Sequence, residues 1–307
     1  MIPSNWLPED FTGWRYTGDV IDDHAHVSIT PSLREFLDAA SVHGVRKVGA
    51  VSRSPDSLRG FKDDRITLEP VHYFSGRLEY ADKKTEKFLK KVVDIRKKGI
   101  KFIKFWFATP YFFMGKDLTT PGTIKFFQKI GEEGLVAEVH ISNPDSWHGH
   151  ISIKEEIRRQ MLEVVAKCPG TRFVLIHMGG NPEDPNDLMG SLEKNDNLYL
   201  DTSATKWVSR ELSAHHDDAR KMFLKYPDRI LFGSDLVIPP HNQGTLTELE
   251  YFLSRYFVQR MMLEYDGEFK SPIHDPDNVD NHPLKGLNLP MEILEKVYKK
   301  NAESLGF

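Results

Sequence analysis

Five residues that could bind a metal lie where predicted β-strands end. The first predicted strand ends in Asp-Asp-His-Ala-His, and residues two apart on a strand point the same way, so the imidazoles of His24 and His26 converge. His140 ends the fifth strand, His177 the sixth and Asp235 the eighth. Imidazoles with a carboxylate are ligands that zinc prefers, and they also suit manganese and iron. The set predicts one divalent metal ion, with zinc expected and manganese or iron as alternatives.

A His-x-His pair by itself carries little weight. The chain has 13 histidines in 307 residues, and random placement gives about 0.5 such pairs. His148 and His150 form a second pair, in a glycine-containing segment that we predict to be a surface loop. What distinguishes His24 and His26 is that other ionisable residues also fall at strand ends. Since buried ionisable groups are rare unless paired or bound to metal, a purely structural role for all five is disfavoured.

The chemistry expected of these residues is hydrolysis. A divalent cation can lower the pKa of water to about 7, and Asp235 can take the proton and pass it to a leaving group. Such a site would attack an ester, lactone, amide or imine carbon. The alternative is non-oxidative decarboxylation, in which the same residues handle the proton that replaces the carboxyl group. A barrel that only binds a ligand is a third hypothesis, which the intact set of five residues disfavours.

Eight short apolar runs must position these side chains. Most are nearly continuous in apolar residues, which is typical of parallel strands buried on both faces. Helical patterns separate them, and this alternation predicts a (β/α)8 TIM barrel rather than an open doubly wound sheet. Active sites of such barrels lie at the carboxyl ends of the strands. The predicted strands are 20–27, 46–52, 66–73, 100–107, 136–142, 172–178, 198–204 and 230–236.

We expect one barrel domain over residues 1–307, with two additions. Residues 1–19 form an N-terminal extension rich in aromatic residues, which could plug one end of the barrel. Residues 237–289 form a long insertion after the eighth strand. We expect this insertion to fold over the catalytic face, because long connections inside compact domains are usually functional.

Composition excludes several classes of protein. Lys and Arg total 41 and Asp and Glu total 45, for a net charge of −4, so there is no global signal for nucleic acid or an anionic membrane. No apolar run approaches the roughly 18 residues that span a bilayer, and residues 1–6 do not resemble a secretory signal, so we expect a cytoplasmic protein. The single cysteine, Cys168, excludes an intrachain disulfide and a cysteine-based zinc site.

Further polar residues near strand ends are candidates for binding a small-molecule substrate. Arg53 and Arg77 follow the second and third strands and could bind an anionic group, although either could form a surface ion pair. His72 ends the third strand, and Lys104 and Trp106 lie on the fourth. A structural role for His72 is an equally open alternative.

Lys104 and Glu138 are expected to meet inside the barrel. Glu138 lies two residues before His140 and shares its face, and the fourth and fifth strands are neighbours. An unpaired charge there would cost several kcal/mol, so we predict an ion pair with a nitrogen–oxygen distance within about 4 Å. If the strand parity is off by one residue, both side chains face the helices instead.

The same motifs resemble the amidohydrolase superfamily. In chain order they are the strand-one His-x-His, the strand-five His, the strand-six His-Met-Gly-Gly and the strand-eight Phe-Gly-Ser-Asp. The chain is more similar to the amidohydrolase 2 branch of metal-dependent hydrolases and decarboxylases, in particular over 197–203, 226–235 and 294–302. The resemblance covers about residues 20–305.

The resemblance implies a metal-dependent enzyme that acts on small molecules, and it makes a homodimer an expectation. It makes His24, His26, His140 and Asp235 the metal ligands, and it assigns catalytic roles to Asp235 and to His177, which would polarise the substrate or the water. Some members of the superfamily carry a carboxylated lysine on strand four that bridges two metals; Glu138 favours a free ammonium on strand four, so we expect one metal. The substrate stays open, because fold does not determine function.

Overall fold

The computed structural model describes residues 1–52, 55–58, 60–74, 81–107, 117–141, 151–240, 246–278 and 281–307. Within them, eight parallel strands follow one another around a nearly closed barrel, which confirms the predicted TIM barrel. The strands are β1 (Val20–His26), β2 (Val45–Ser52), β3 (Thr67–Tyr73), β4 (Phe102–Trp106), β5 (Val136–His140), β6 (Arg172–Leu175), β7 (Leu198–Asp201) and β8 (Ile230–Leu231).

The chain that follows β8 closes the barrel against β1. Although β8 itself has two residues, the backbone of 232–238 continues beside the first strand. The Asp235 amide donates to the His24 carbonyl at 3.0 Å, and the His26 amide donates to the Leu236 carbonyl at 2.7 Å. This closure places Asp235, four residues after β8, directly beside the two histidines of β1.

Helices surround the barrel. They are α1 (Ser32–Val42), α2 (Ala81–Lys97), α3 (Pro121–Glu132), α4 (Ile151–Lys167), α5 (Pro185–Lys194), α6 (Thr205–Ala214), α7 (His216–Lys225), α8 (Glu248–Glu264), α9 (Met291–Glu295) and α10 (Asn301–Leu305). Shorter elements are 3-10 turns at Ser4–Trp6 and Pro55–Leu58, a π-helical turn at Lys296–Lys300, and an antiparallel ribbon of β9 (Glu268–Phe269) and β10 (Leu284–Lys285). In the described ranges, no helix combines the length and the apolar character needed to cross a membrane.

The helix α8 is buried on nearly all sides after its first turn, which is typical of a helix covered on both faces. It packs against α1 and α6. The N-terminal extension covers another side, with the rings of Trp6 and Trp14 centred 5.9 and 6.0 Å from the ring of Phe257. Of the aromatic residues in 1–19, which were expected to plug a barrel end, Trp6 and Trp14 thus pack on this helix and Tyr16 packs on Tyr298.

A buried ion pair anchors the C-terminal half of α8. The Arg260 guanidinium lies 2.6 Å from Glu264 Oε1, and both side chains are 3% exposed. The guanidinium also donates to the carbonyls of Tyr16 at 2.5 Å and His43 at 2.8 Å. Glu264 Oε1 accepts from the Tyr298 hydroxyl at 2.9 Å. Because a buried pair is tolerated when hydrogen bonds satisfy its charges, this pair can join the N-terminal segment, α1 and the C-terminal helices.

Apolar side chains fill the amino end of the barrel. The ring of Phe307 stacks on that of Phe102 with centroids 3.9 Å apart, so the C-terminal residues cover this end. Reactive groups therefore lie toward the other end, where the strands finish. The apolar layer comprises Ile21, Val51, Val71, Phe102, Val136, Val174, Ile176, Leu231, Ala302, Leu305 and Phe307.

Candidate active site

Three imidazoles converge on the carboxylate of Asp235. Nε2 of His24 and Nε2 of His26 lie 3.2 and 3.0 Å from Asp235 Oδ1, and His177 Nε2 lies 3.5 Å from Oδ2. His24 and His177 are buried, whereas the side chains of His26 and Asp235 are 34% and 23% exposed. Donor atoms of His24, His177 and Asp235 lie within 4.8 Å of one another. The structure therefore gathers four of the five predicted residues around one point that solvent can reach.

The backbone after β8 aims Asp235 at this point. Asp235 has a left-handed φ of +54°, which turns its side chain out of the strand direction. Two positions earlier, a Cβ on Gly233 would lie 2.0 Å from Asp23 Oδ1 and 2.9 Å from Asp201 Oδ2. Glycine is required there because these carboxylates approach the backbone more closely than any side chain allows.

A left-handed turn presents His177. β6 ends at Leu175, so the predicted strand 172–178 is too long. His177 and Met178 have φ values of +56° and +50°, and the two glycines that follow are also left-handed. The His177 amide donates to Asp201 Oδ1 at 2.6 Å, which holds the turn in place. Non-glycine residues in this conformation cost about 1–3 kcal/mol each and persist where the surroundings enforce them, as they do here.

Asp201, at the end of β7, orients two of the imidazoles. Its Oδ2 lies 2.9 Å from His24 Nδ1, and its Oδ1 accepts from the Ser203 hydroxyl at 2.6 Å. Ser203 Oγ in turn lies 2.6 Å from His177 Nδ1. Because a carboxylate only accepts hydrogen bonds, this network assigns the proton of each ring to Nδ1 and leaves Nε2 toward the site. Neither Asp201 nor Ser203 was predicted, although the polar end of the seventh strand was a usable signal.

His140 extends this network. Its Nδ1 lies 3.1 Å from His177 Nε2, and the two ring centroids are 4.5 Å apart. Since His177 carries its proton on Nδ1, its Nε2 accepts from His140. A hydrogen-bonded row therefore runs from His140 through His177 and Ser203 to Asp201. Trp106 at the end of β4 is 38% exposed, and its ring centroid lies 6.2 Å from that of His140.

The charges of the site oppose the effect of burial. Burial and the Lys104 ammonium act to lower the pKa of His24, but the carboxylates of Asp201 and Asp23 at Nδ1 outweigh them and the pKa is raised well above its usual value. Burial acts to raise the pKa of Asp235, but His177 and the other imidazoles hold it well below its usual value. Burial lowers the pKa of His177 to about 4, so this ring is neutral. The carboxylates on either side of His24 thus favour a positive charge between them.

Lys104 and Glu138 lie inside the barrel below the imidazoles, opposite each other in the strand register. The predicted ion pair is nevertheless wrong: Lys104 Nζ and both Glu138 carboxyl oxygens have no hydrogen-bond partner in the described part of the chain. Burial raises the pKa of Glu138 to about 7 against the effect of Lys104, so the carboxyl is partly neutral. The Lys104 ammonium also acts to lower the pKa values of Asp201 and His24, so its charge influences several groups and not Glu138 alone.

His72 lies away from the site. The charges that act on it come from Lys91 and Lys98, in and just after α2, and its pKa is lowered to about 4, mainly by burial. Its neighbour Val71 belongs to the interior apolar layer. Because alternate strand residues face opposite sides, His72 points to the helices, and its predicted contact with substrate is wrong. Other candidates lie outside the described residues: Arg53, Arg77, His148 and His150.

A pocket of about 160 Å³ opens beside His177 and Asp235. The first half of α8 contributes Tyr251 and Arg255, and the segment after β9 contributes Asp275 and Asp277 to its wall. Parts of the predicted 237–289 insertion therefore border the catalytic face, as expected, while α8 itself belongs to the outer helical layer. The remaining lining residues are Ala204, Thr205, Lys206, Trp207, Arg210, Ser234 and Leu236.

The family model described as Amidohydrolase, of the amidohydrolase 2 type, matches residues 78–305, well over half of the chain. The chain belongs to the amidohydrolase family. The resemblance carried by the strand-end motifs is thereby confirmed, and the matched residues include β4–β8 with His140, His177 and Asp235. No curated protein matches this amidohydrolase.

Solved structures share the fold of this amidohydrolase at low sequence identity. A probable 2-pyrone-4,6-dicarboxylic acid hydrolase from Acinetobacter baumannii, with citric acid bound, is 15% identical with a TM-score of 0.57, and the match covers 94% of this chain and 100% of that one. An uncharacterised TIM-barrel protein from Bordetella bronchiseptica is 13% identical with a TM-score of 0.60, covering 94% and 98%. A 2,6-dihydroxybenzoate decarboxylase from Rhizobium is 15% identical with a TM-score of 0.53, covering 94% and 98%. These similarities establish the fold alone.

Proposed function

We propose that this amidohydrolase is a metal-dependent hydrolase of a small-molecule ester, lactone or amide. The observation that carries the proposal is the convergence of three imidazole Nε2 atoms on the carboxylate of Asp235. The buried groups behind them orient the rings, and a pocket adjoins them. This combination of convergent donors, oriented rings and access for a small molecule is what metal-assisted hydrolysis requires.

The donor set fits one divalent cation. His24 lies between the carboxylates of Asp201 and Asp235, which favour positive charge there, and its Nε2 is the atom turned toward the site. Imidazole nitrogen and carboxylate oxygen suit zinc, with manganese and iron as alternatives. We assign His24, His26, His140 and Asp235 as the ligands. The cation, when bound, would supply Lewis acidity and lower the pKa of water to about 7.

The residues of the chain would move the proton. Asp235 is ionised, so its carboxylate can accept a proton from the attacking water and deliver it to the leaving group. His177 is neutral, and the lone pair of its Nε2 lies on the Oδ2 side of Asp235, where it can take up a proton and then donate it. Ser203 and Asp201 keep His177 in the tautomer that this role needs.

A decarboxylase that uses the same residues is the second candidate. Here Asp235 or His177 would first take up a proton from water and then deliver it to the carbon that loses its carboxyl group as carbon dioxide. A specific observation favours keeping it: Arg255 lines the pocket, and a carboxylic acid substrate needs a cation near the reacting centre.

The test loads the full chain with zinc, manganese or iron(II) and measures turnover on lactones, esters, amides and aromatic acids. Released acid indicates the hydrolase and released carbon dioxide the decarboxylase. His177→Asn should reduce turnover by about 10²–10⁴-fold with the metal retained, whereas the exposed His215→Asn should change neither. Equal loss of metal and turnover would make His177 a ligand. A chain that binds none of the metals would contradict the proposal.

We also propose that this amidohydrolase works in the cytoplasm as a homodimer on a small-molecule substrate, without nucleic acid or membrane partners. The near-neutral composition supports the absence of such partners, and the family resemblance supports the dimer. Sedimentation of the metal-loaded chain measures the oligomeric state, and a monomer at micromolar concentration would contradict the dimer.

A further inference from the structure

We propose that Arg255 binds a carboxylate group of the substrate and thereby determines which molecules this site accepts. The inference rests on the proposed function, because it assumes that the pocket beside His177 and Asp235 is where the substrate binds. It names a specificity residue on α8, outside the strand ends that carry the proposed chemistry.

Local contacts hold the Arg255 guanidinium in one orientation. A capping box formed by Thr247 and Glu250 begins α8 and sets its first turns. Arg255 follows Tyr251 by one turn, and its guanidinium carbon lies 3.7 Å from the centroid of the tyrosine ring. Nη1 donates to the Tyr251 carbonyl at 3.3 Å and to Ser254 Oγ at 2.9 Å. Stacking and two hydrogen bonds thus fix the plane of the guanidinium before any ligand arrives.

One edge of the guanidinium remains available. Arginine has five N–H donors, and the two contacts above use only those on Nη1. Within the described ranges, the only other hydrogen-bonding group that acts on the guanidinium is the side chain of Tyr251, on whose ring it stacks, and no carboxylate or carbonyl oxygen accepts from Nε or Nη2. These two nitrogens form the fork that pairs with both oxygens of a carboxylate. The available edge therefore has the geometry for an anion with two coplanar oxygens.

The two arginines of this pocket, Arg255 and Arg210, differ in their ion pairs. No carboxylate of the described residues forms an ion pair with Arg255, whereas Arg210 in the same pocket pairs with Asp275 at 2.5 Å and with Glu211 at 2.9 Å. The side chain of Arg255 is half-buried, and this burial lowers its pKa. A substrate carboxylate would supply the opposite charge that this guanidinium does not find among the described residues.

The position of Arg255 connects this subsite to the proposed chemistry. Its stacking partner Tyr251 has a raised pKa, mainly from burial and also from the negative charge of Asp235, so the tyrosine lies within electrostatic reach of that carboxylate. All three residues line the same pocket. A molecule whose carboxylate lies on Arg255 can therefore extend its reacting carbon toward Asp235 and His177.

The experiment compares charged and neutral probes by calorimetry on the zinc-loaded full chain. Succinate, benzoate and isophthalate are each paired with the corresponding neutral amide. Arg255→Ala should weaken binding of the preferred carboxylate by about 10- to 100-fold and leave its amide unchanged. Arg255→Lys should give an intermediate loss, because a point charge replaces the fork. Free guanidinium ion should restore carboxylate binding to Arg255→Ala, and Arg159→Ala, which removes a 61% exposed arginine on α4, should behave as wild type.

Two results would overturn the subsite: a wild-type chain that prefers no carboxylate over its amide, or an Arg255→Ala chain that keeps the preference. Either result with zinc binding and turnover intact would remove Arg255 and leave the proposed function. If the chain binds no metal but its preference for carboxylates depends on Arg255, the subsite stands and the proposed function is contradicted.

Discussion

Replacing Asp201 by asparagine should weaken metal binding without removing any metal ligand. The wild-type carboxylate lies 2.9 Å from His24 Nδ1, which therefore carries a proton, so that Nε2 can offer its lone pair to a cation. In Asp201→Asn, the side-chain oxygen can still accept from the His177 amide and Ser203, so the amide nitrogen must face His24. An amide nitrogen donates, so His24 Nδ1 becomes an acceptor and the proton moves to Nε2.

The magnitude follows from these contacts. A protonated Nε2 cannot bind a cation, and loss of such an orienting partner typically costs about 10- to 100-fold in metal affinity. The folded state also loses the stronger hydrogen bonds of an ionised acceptor, each contributing about 1.5–3 kcal/mol. Because the amide oxygen replaces part of this, we expect the free energy of unfolding to fall by about 2 kcal/mol, which leaves the chain folded at 25 °C.

The assay is competition for zinc between the full chain and a chelator of known affinity, with urea unfolding of the same preparations. Asp196→Asn serves as the control, since that side chain is fully exposed (103%) and lies five residues earlier. A folded Asp201→Asn chain that binds zinc as tightly as wild type would refute the tautomer argument. Loss of folding in this variant, with normal zinc binding by Asp196→Asn, would instead show that the cost of the substitution is underestimated.

Three further predictions concern stability and mobility. Burial lowers the pKa of His43 to about 3, below the value of about 6.5 in the unfolded chain. Because the unfolded state binds the proton first, the free energy of unfolding falls as the pH drops below about 6.5, by up to about 1.4 kcal/mol per pH unit. Urea unfolding at pH 7.5 and pH 5 measures this fall, and His43→Gln should reduce it. Arg210→Ala removes the ion pair to Asp275 and should speed amide exchange over 271–278, with a small change in Tm because such pairs near the surface contribute little. Phe307→Ala removes the ring stacked on Phe102 and should lower the free energy of unfolding by about 3 kcal/mol while zinc affinity is unchanged.

Each of these has an outcome that contradicts it. An unchanged pH slope in His43→Gln would mean that other groups carry the acid sensitivity. If the rate of amide exchange over 271–278 is the same in wild type, in Arg210→Ala and in the control Arg159→Ala, the ribbon of β9 and β10 holds this segment rather than the ion pair. A loss of zinc affinity in Phe307→Ala would mean that the apolar layer and the site are coupled.

The barrel and the convergence of its strand-end residues were predictable because both depend on local pattern. Continuous apolar runs identify strands buried on both faces, and parallel strands bring their carboxyl ends to one side. His24, His26 and Asp235 therefore meet as expected. Strand parity also placed Lys104 and Glu138 inside, but the absence of their ion pair depends on how burial and neighbouring charges act on each group.

What could not be predicted depends on contacts between distant segments. The left-handed turn at His177 is held by Asp201 from the next strand, so no local pattern places it. His72 lies on β3 between Val71 and Tyr73, which face the interior, so its side chain faces the helices although its residue type suggested the site. Arg255 lies in a helix that packs in the outer layer, and its role at the pocket depends on how α8 is docked rather than on any motif.

The two halves of α8 have different roles, since the second half anchors the helix and the first half lines the pocket. The Arg260–Glu264 pair and its hydrogen bonds lock the second half to three other segments. Tyr251 and Arg255 in the first half line the pocket. A library randomised at 251 and 255 would therefore sample new substrate preferences on a helix whose docking does not change. Descendants of this chain could exchange one substrate for another through those two positions without first acquiring stabilising substitutions elsewhere.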